Sequence, residues 1–183
     1  MSGALLEAGA TAFLDRDGTI NMSPPEGEYL SSPGQLQLLD GAAEAVRLLN
    51  EHPAKVVVVT NQRGIALSRM SEGDLRRVHD RLEGELGRHG AHLDGILHCP
   101  HPEGACDCRK PAPGMLERAA REVEGVELAG AAMVGDTARD VEAGRRLGLT
   151  TVRIGAPAEG EPAADYEAMD LLDAVRRLLA PPG

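Results

Sequence analysis

Four consecutive valines, Val56 to Val59, follow Lys55 and stop at Thr60-Asn61-Gln62-Arg63-Gly64. A continuous β-branched run of this kind marks a parallel strand buried on both faces, so its sheet must carry helices on both sides. The rest of the chain alternates accordingly. Ala10 to Leu14, Gly95 to Cys99, Ala131 to Gly135 and Thr151 to Ile154 read as further short strands. Between and after them, helical spacing predicts helices from Asp40-Gly41 to Asn50, from Ser71 to about Gly90 and from Pro113 to about Val123. Two more are expected from about Arg139 to Leu147 and from Asp170 to Leu179. Met22 to Gly34, with three prolines, two glycines and three serines, reads as a loop, as does Ala156 to Ala164. The expected fold class is α/β: a doubly wound, three-layer domain with a mostly parallel sheet.

Three of these strands end in polar residues: Asp15 and Asp17, Thr60 and Asn61, and Asp136. Right-handed crossovers bring the carboxyl ends of parallel strands to one edge of the sheet, so these groups should converge. Two carboxylates one residue apart in a partly dry cleft cannot cheaply both be ionised, and need a metal, a cation or a shared proton. By itself, Asp15-Arg16-Asp17-Gly18 reads better as a solvated turn; the company it keeps favours chemistry.

The formal charge of −10 argues against a nucleic-acid surface and means that an anionic substrate needs a local positive site. Lysine occurs only at Lys55 and Lys110, which makes the position of Lys110 informative. At 183 residues one domain, 1–183, is expected to bury about 70% of its unfolded surface without disulfides. Met1 to Ala12 has neither a basic n-region nor a long apolar stretch, so no leader or anchor is expected, and the protein is expected to be cytoplasmic.

The three cysteines lie within ten residues, in Cys99-Pro-His101-Pro-Glu-Gly-Ala-Cys106-Asp-Cys108. Three thiols and an imidazole suit a tetrahedral structural Zn²⁺ with no open position, in a loop spanning 99–108. The bland alternative is a loop of free thiols beside an incidental histidine. His98 should point away from the cluster.

In order, Asp-x-Asp-Gly-Thr after the first strand, Val-Thr-Asn after the next, Arg109-Lys110-Pro111 and Gly135-Asp136-x-x-x-Asp140 resemble the haloacid-dehalogenase-like (HAD-like) phosphohydrolase superfamily, from Phe13 to about Ile154. The resemblance implies a Rossmann-like domain and Mg²⁺-dependent hydrolysis of a phosphate monoester through an aspartyl phosphate. Asp15 would be the nucleophile and Asp17 the general acid and base. Metal contact would lower the pKa of Asp15, while burial and like charge would raise that of Asp17. Mg²⁺ would be held by Asp15, Asp17 (through its backbone carbonyl) and Asp136. Asp140 would either support the metal or steady Lys110, against a plain reading as a helix N-terminal carboxylate. Thr60 and Asn61 would donate to phosphoryl oxygens, Lys110 would neutralise them, and Arg63 and Arg109 would bind the remainder of the substrate.

Cys-Pro-His followed by Cys-Asp-Cys-Arg-Lys-Pro is similar to the branch holding D-glycero-D-manno-heptose 1,7-bisphosphate phosphatases and bacterial histidinol-phosphate phosphatases, which lack a large cap domain. Phe13 to Asn21 and Lys110 to Met115 favour the heptose group. The four residues between His101 and Cys106 are nearer the histidinol-phosphatase length. The expected substrate is therefore a small phosphorylated sugar, with an amino-alcohol phosphate as the alternative and a non-catalytic binding protein on the same scaffold as the reading of another class. No nucleic-acid or membrane partner is expected, and the chain is expected to act as a monomer.

Overall fold

The computed structural model describes residues 4–180, so the first three residues of the stretch read as free of a leader, and the last three of the chain, lie outside it. Six strands, all parallel, form one sheet: β1 (Thr11–Leu14), β2 (Lys55–Asn61), β3 (Gly95–Cys99), β4 (Ala132–Gly135), β5 (Thr150–Ile154) and β6 (Tyr166–Ala168). Their order across the sheet is β3-β2-β1-β4-β5-β6. The helices are α1 (Ala42–Glu51), α2 (Glu72–Arg88), α3 (Gly114–Glu122), α4 (Ala138–Arg146) and α5 (Leu171–Leu179).

Successive strand side chains point to opposite faces, and the core divides accordingly. Ala12, Leu14, Val56, Val58, Ala132 and Val134 pack with the buried stripes of α1, α2 and α5. Phe13, Val57, Val59 and Met133 pack on the other face with Met115, Leu116 and Ala119 of α3 and Ala143 of α4. The valine run is buried because both faces of β2 are covered. Helix starts follow local chemistry: the Ser71 side chain accepts from the Asp74 backbone N–H, and Asp170 accepts from that of Asp173.

β6 falls where no element was expected. It has three residues, of which only Ala168 is buried, and a half-exposed edge strand of that length leaves no periodic signal. Pro113 stands just before α3, as its N-cap, rather than in its first turn. Among the described residues, no helix is long and apolar enough to cross a membrane.

Chain order reverses at β1, with β2 and β3 laid to one side and β4, β5 and β6 to the other. The crevice at such a switch point, beyond the carboxyl ends of the strands, is where open α/β sheets hold ligands.

Candidate active site

The Asp15 N–H extends the β1 ladder by one bond, to Val134 O at 2.9 Å, and places the Asp15 carboxyl at the mouth of the crevice. The chain then turns at Gly18, whose φ is +82°, and a Cβ there would lie 2.0 Å from Asp136 Oδ2. Only glycine lets the turn after β1 approach the end of β4 so closely. At the end of β4, Gly135 plays a similar part, since its Cβ would strike the Asp140 carboxyl at 2.3 Å.

Above these turns lies a cleft of about 390 Å³, within the range of small-ligand sites. Asp15, Asp17, Thr60, Asn61, Arg63, Arg109, Lys110 and Asp136 all line it. Met22 to Gly34 supplies the opposite wall from Ser23 to Leu30, as the loop reading allowed. Arg139 of α4 joins Arg63 and Arg109 in the lining, so the cleft of a chain of net charge −10 offers three guanidiniums as well as Lys110 to an anionic ligand.

At the floor, buried Lys110 donates from Nζ to Asp15 Oδ1 at 2.8 Å and to Asp140 Oδ1 at 2.6 Å. Asp140 Oδ2 accepts from the backbone N–H and the hydroxyl of Thr137, at 3.0 and 2.6 Å. Asp140 thus pairs with Lys110 through one oxygen and caps α4 through the other. Burial works against the ammonium, but Asp140 and Asp15 outweigh it and hold its pKa up at about 12.

Asp15, Asp136 and Asp140 bring carboxylate oxygens within 4.8 Å of one another, against one lysine. Burial pushes Asp15 up to about 8, and burial with the Asp140 charge pushes Asp136 up to about 6. Asp136 Oδ1 is buried without a hydrogen-bond partner. Excess negative charge and an orphaned carboxylate oxygen fit a hard divalent cation. Asp15, Asp136 and Asp140 can each offer such an ion one oxygen.

Asp17 lines the cleft, but its carboxylate stands apart from the three that cluster, and it departs from expectation in its charge. It accepts from Arg16 Nε and Nη2 at 2.9 to 3.1 Å, from Asn21 Nδ2 at 2.9 Å and from Gln62 Nε2 at 3.0 Å. Its pKa was expected to rise; burial does push that way, but the Arg16 guanidinium and the Asn21 and Gln62 amides together hold it below the usual carboxylate range. The cation between the two aspartates, with the two amides, outweighs burial.

Asn61 is also engaged. Its amide donates to Lys110 O at 3.0 Å and accepts from the Lys110 N–H at 3.1 Å. That side chain anchors the lysine loop with one amide hydrogen and its oxygen, and the second amide hydrogen is left for the cleft that Asn61 lines. The Thr60 hydroxyl accepts from Gln62 Nε2 at 2.9 Å, which leaves its own hydrogen for the cleft. Gln62, joining Thr60 to Asp17, was missed in the sequence although it directly follows the Thr-Asn pair.

Beside the cleft, Cys99, His101, Cys106 and Cys108 form a second cluster. The Sγ atoms stand 3.2 to 3.5 Å apart, and His101 Nδ1 lies 3.3 Å from Cys108 Sγ and 3.7 Å from Cys99 Sγ. Thiolates about 2.3 Å from one tetrahedral ion would be separated by about 3.7 Å, so the set is close to closed coordination geometry. Burial and the two neighbouring thiols push the Cys108 thiol up. His98 points away, to Glu72 Oε2 at 2.9 Å. Glu103 and Arg109 carry the loop's influence into the cleft wall.

Comparison with known proteins agrees with this geometry. The HAD-hydrolase-like family model matches residues 107–174. Over 181 residues, 92% of this chain and 94% of the relative, the sequence is 38% identical to D-glycero-beta-D-manno-heptose-1,7-bisphosphate 7-phosphatase of Yersinia pestis. It is likewise 38% identical over 174 residues to the enzyme of that name from Escherichia coli K12, covering 88% of this chain and 89% of the relative. The crystal structure of D,D-heptose 1,7-bisphosphate phosphatase from B. bronchiseptica, complexed with magnesium and phosphate, superposes with a TM-score of 0.83 at 32% identity. That alignment covers 93% of this chain and 98% of the other. With relatives this similar along nearly their whole length, the chain belongs to the HAD-like hydrolase family, alongside these phosphatases.

Proposed function

We propose that the protein is a phosphoric monoester hydrolase that removes the 7-phosphate of D-glycero-beta-D-manno-heptose 1,7-bisphosphate, the activity named for its relatives. The observation that carries the reading is Asp15 at the cleft floor, 2.8 Å from Lys110 and two residues from Asp17, with three arginines on the walls. A bisphosphate presents one phosphoryl group to the floor and a second anionic group to those arginines.

Asp15 attacks phosphorus, and the bond to the sugar oxygen breaks as Asp17 gives that oxygen a proton. Asp17 acquires this proton when the anionic substrate enters beside it, since a nearby negative charge favours the neutral carboxyl. Water then attacks the aspartyl phosphate while Asp17 takes up its proton, releasing phosphate and restoring Asp15. Lys110 and the Thr60 hydroxyl stabilise charge on the phosphoryl oxygens as it develops. Asp15, Asp136 and the Asp17 backbone carbonyl are the groups to hold Mg²⁺, which supplies charge neutralisation to the phosphoryl group. Cys99, His101, Cys106 and Cys108 would hold structural Zn²⁺, and thiols kept for a metal suit a reducing cytoplasm. The one continuous sheet supports treating the chain as a single domain with an appended zinc loop.

The test is phosphate release, with Mg²⁺ added, from both anomers of heptose 1,7-bisphosphate and from histidinol phosphate, with Asp15→Asn as the blank. Preference for the β-heptose anomer is expected. Preference for histidinol phosphate, which the short His101 to Cys106 spacer favours, would replace the substrate and retain the residue roles.

A further inference from the structure

Arg16 stands between the two carboxylates of the first motif, and its side chain is fully buried. A buried guanidinium is costly unless its donors are paired. Nε and Nη2 are paired with Asp17, while Nη1 reaches Nε2 of His79 on α2, 63 positions along the chain, at 3.1 Å. A guanidinium only donates, so Nε2 accepts and the His79 ring is the neutral Nδ1–H tautomer. Burial and the Arg16 charge keep the ring neutral, with its pKa down at about 3. The His98 ring stands edge-on to it at 6.1 Å, and is itself tied to Glu72. His79 and His98 do not line the cleft, and the reaction as derived makes no use of either.

We propose that Arg16 and His79 are positioning residues for the general acid: Arg16 orients the Asp17 carboxyl in the cleft, and His79 fixes the Arg16 fork from α2. This inference rests on the phosphatase reading. Asp17 has three side-chain partners, but Arg16 alone grips both of its oxygens. Asn21 and Gln62 each reach one. A fork held at its far end by His79 defines the plane of the carboxyl, which single donors do not. Proton donation is sensitive to such placement, because the acid must meet the leaving oxygen as its bond to phosphorus breaks.

A leaving-group comparison separates positioning of the acid from general support of the fold. A sugar alkoxide needs its proton as it departs, whereas p-nitrophenolate leaves without one. The quantity kcat/KM covers the steps up to formation of the aspartyl phosphate, and so excludes the later water attack. His79→Leu is expected to lower the ratio of kcat/KM for the heptose bisphosphate to kcat/KM for p-nitrophenyl phosphate by about tenfold, within the span a general acid contributes. His79→Gln, whose amide oxygen can accept from Arg16, should stay within about threefold of wild type. Arg16→Lys keeps the charge without the fork and should lower the ratio at least as far as His79→Leu. It decides the question if the leucine variant does not fold. A ratio unchanged in the folded variants, or both substrates slowing in parallel, overturns the proposal and leaves Arg16 and His79 as packing. Wild-type protein that releases phosphate from neither substrate overturns the phosphatase reading itself.

Discussion

Lys110 Nζ lies 2.6 Å from Asp140 Oδ1, with both side chains buried, and the other oxygen of that carboxyl caps α4. One residue thus joins the position of the lysine at the cleft floor to the start of a helix. Breaking a buried pair costs about 3–5 kcal/mol and losing a cap about 1 kcal/mol. Asp15 remains to pair with Lys110 and moderates the first figure. Asp140→Ala is expected to lower Tm by roughly 5–15 °C in thermal unfolding, together with a fall in kcat. A Tm within a degree of wild type would contradict the structural part of this role.

The two carboxylates of the first motif should separate in their effects. Asp15→Asn is expected to abolish phosphate release and leave Tm unchanged or raised, since it removes a carboxylate that burial disfavours. Asp17→Asn should reduce turnover by about 10²- to 10⁴-fold while the protein stays folded. Phosphate-release assays with matched melting curves check both, and undiminished turnover in either variant would remove its assignment.

The cysteine cluster makes a prediction on metal content. Cys106→Ser leaves three ligands, and loss of a structural metal is among the changes that cost more than about 4 kcal/mol. Zinc content and Tm should fall together, the latter by roughly 10 °C or more, and a strong chelator should do the same to wild type. Elemental analysis of untreated protein, alongside melts with and without chelator, provides the check. Absence of zinc with no stability change on chelation would contradict a structural site.

His79 makes stability depend on pH in a definite direction. Its pKa is near 6.5 in the unfolded chain and held down at about 3 in the fold, chiefly by burial and then by Arg16. Between these values the unfolded chain binds the extra proton, so the contribution is complete above about pH 6.5 and is lost as pH falls toward 3. Between pH 7 and pH 5 the loss from this group is about 1–2 kcal/mol. Denaturant midpoints at the two pH values should therefore fall further in wild type than in His79→Gln, which does not titrate there. Equal falls would mean that His79 titrates normally in the folded protein.

The sequence by itself determined the α/β class, five of the six strands to within a residue or two, and the group of side chains that meet above the sheet. Those features are local: apolar runs read at a period of two or 3.6, and short motifs placed at strand ends that right-handed crossovers bring to one edge. The Cys₃His cluster was legible because its ligands lie within ten residues. Only the tertiary structure decided what each polar group is paired with. Arg16 meets His79 across 63 positions, Asn61 holds the Lys110 backbone across 49, and Lys110 reaches Asp15 across 95. Such pairings set whether a carboxylate is pushed up, as Asp15 is, or held down, as Asp17 is. The sign depends on burial and on where the nearest charges turn: those that act on Asp15 come from positions 110 and 140, and although Arg16 adjoins Asp17 in the chain, only the fold sets its fork on that carboxylate.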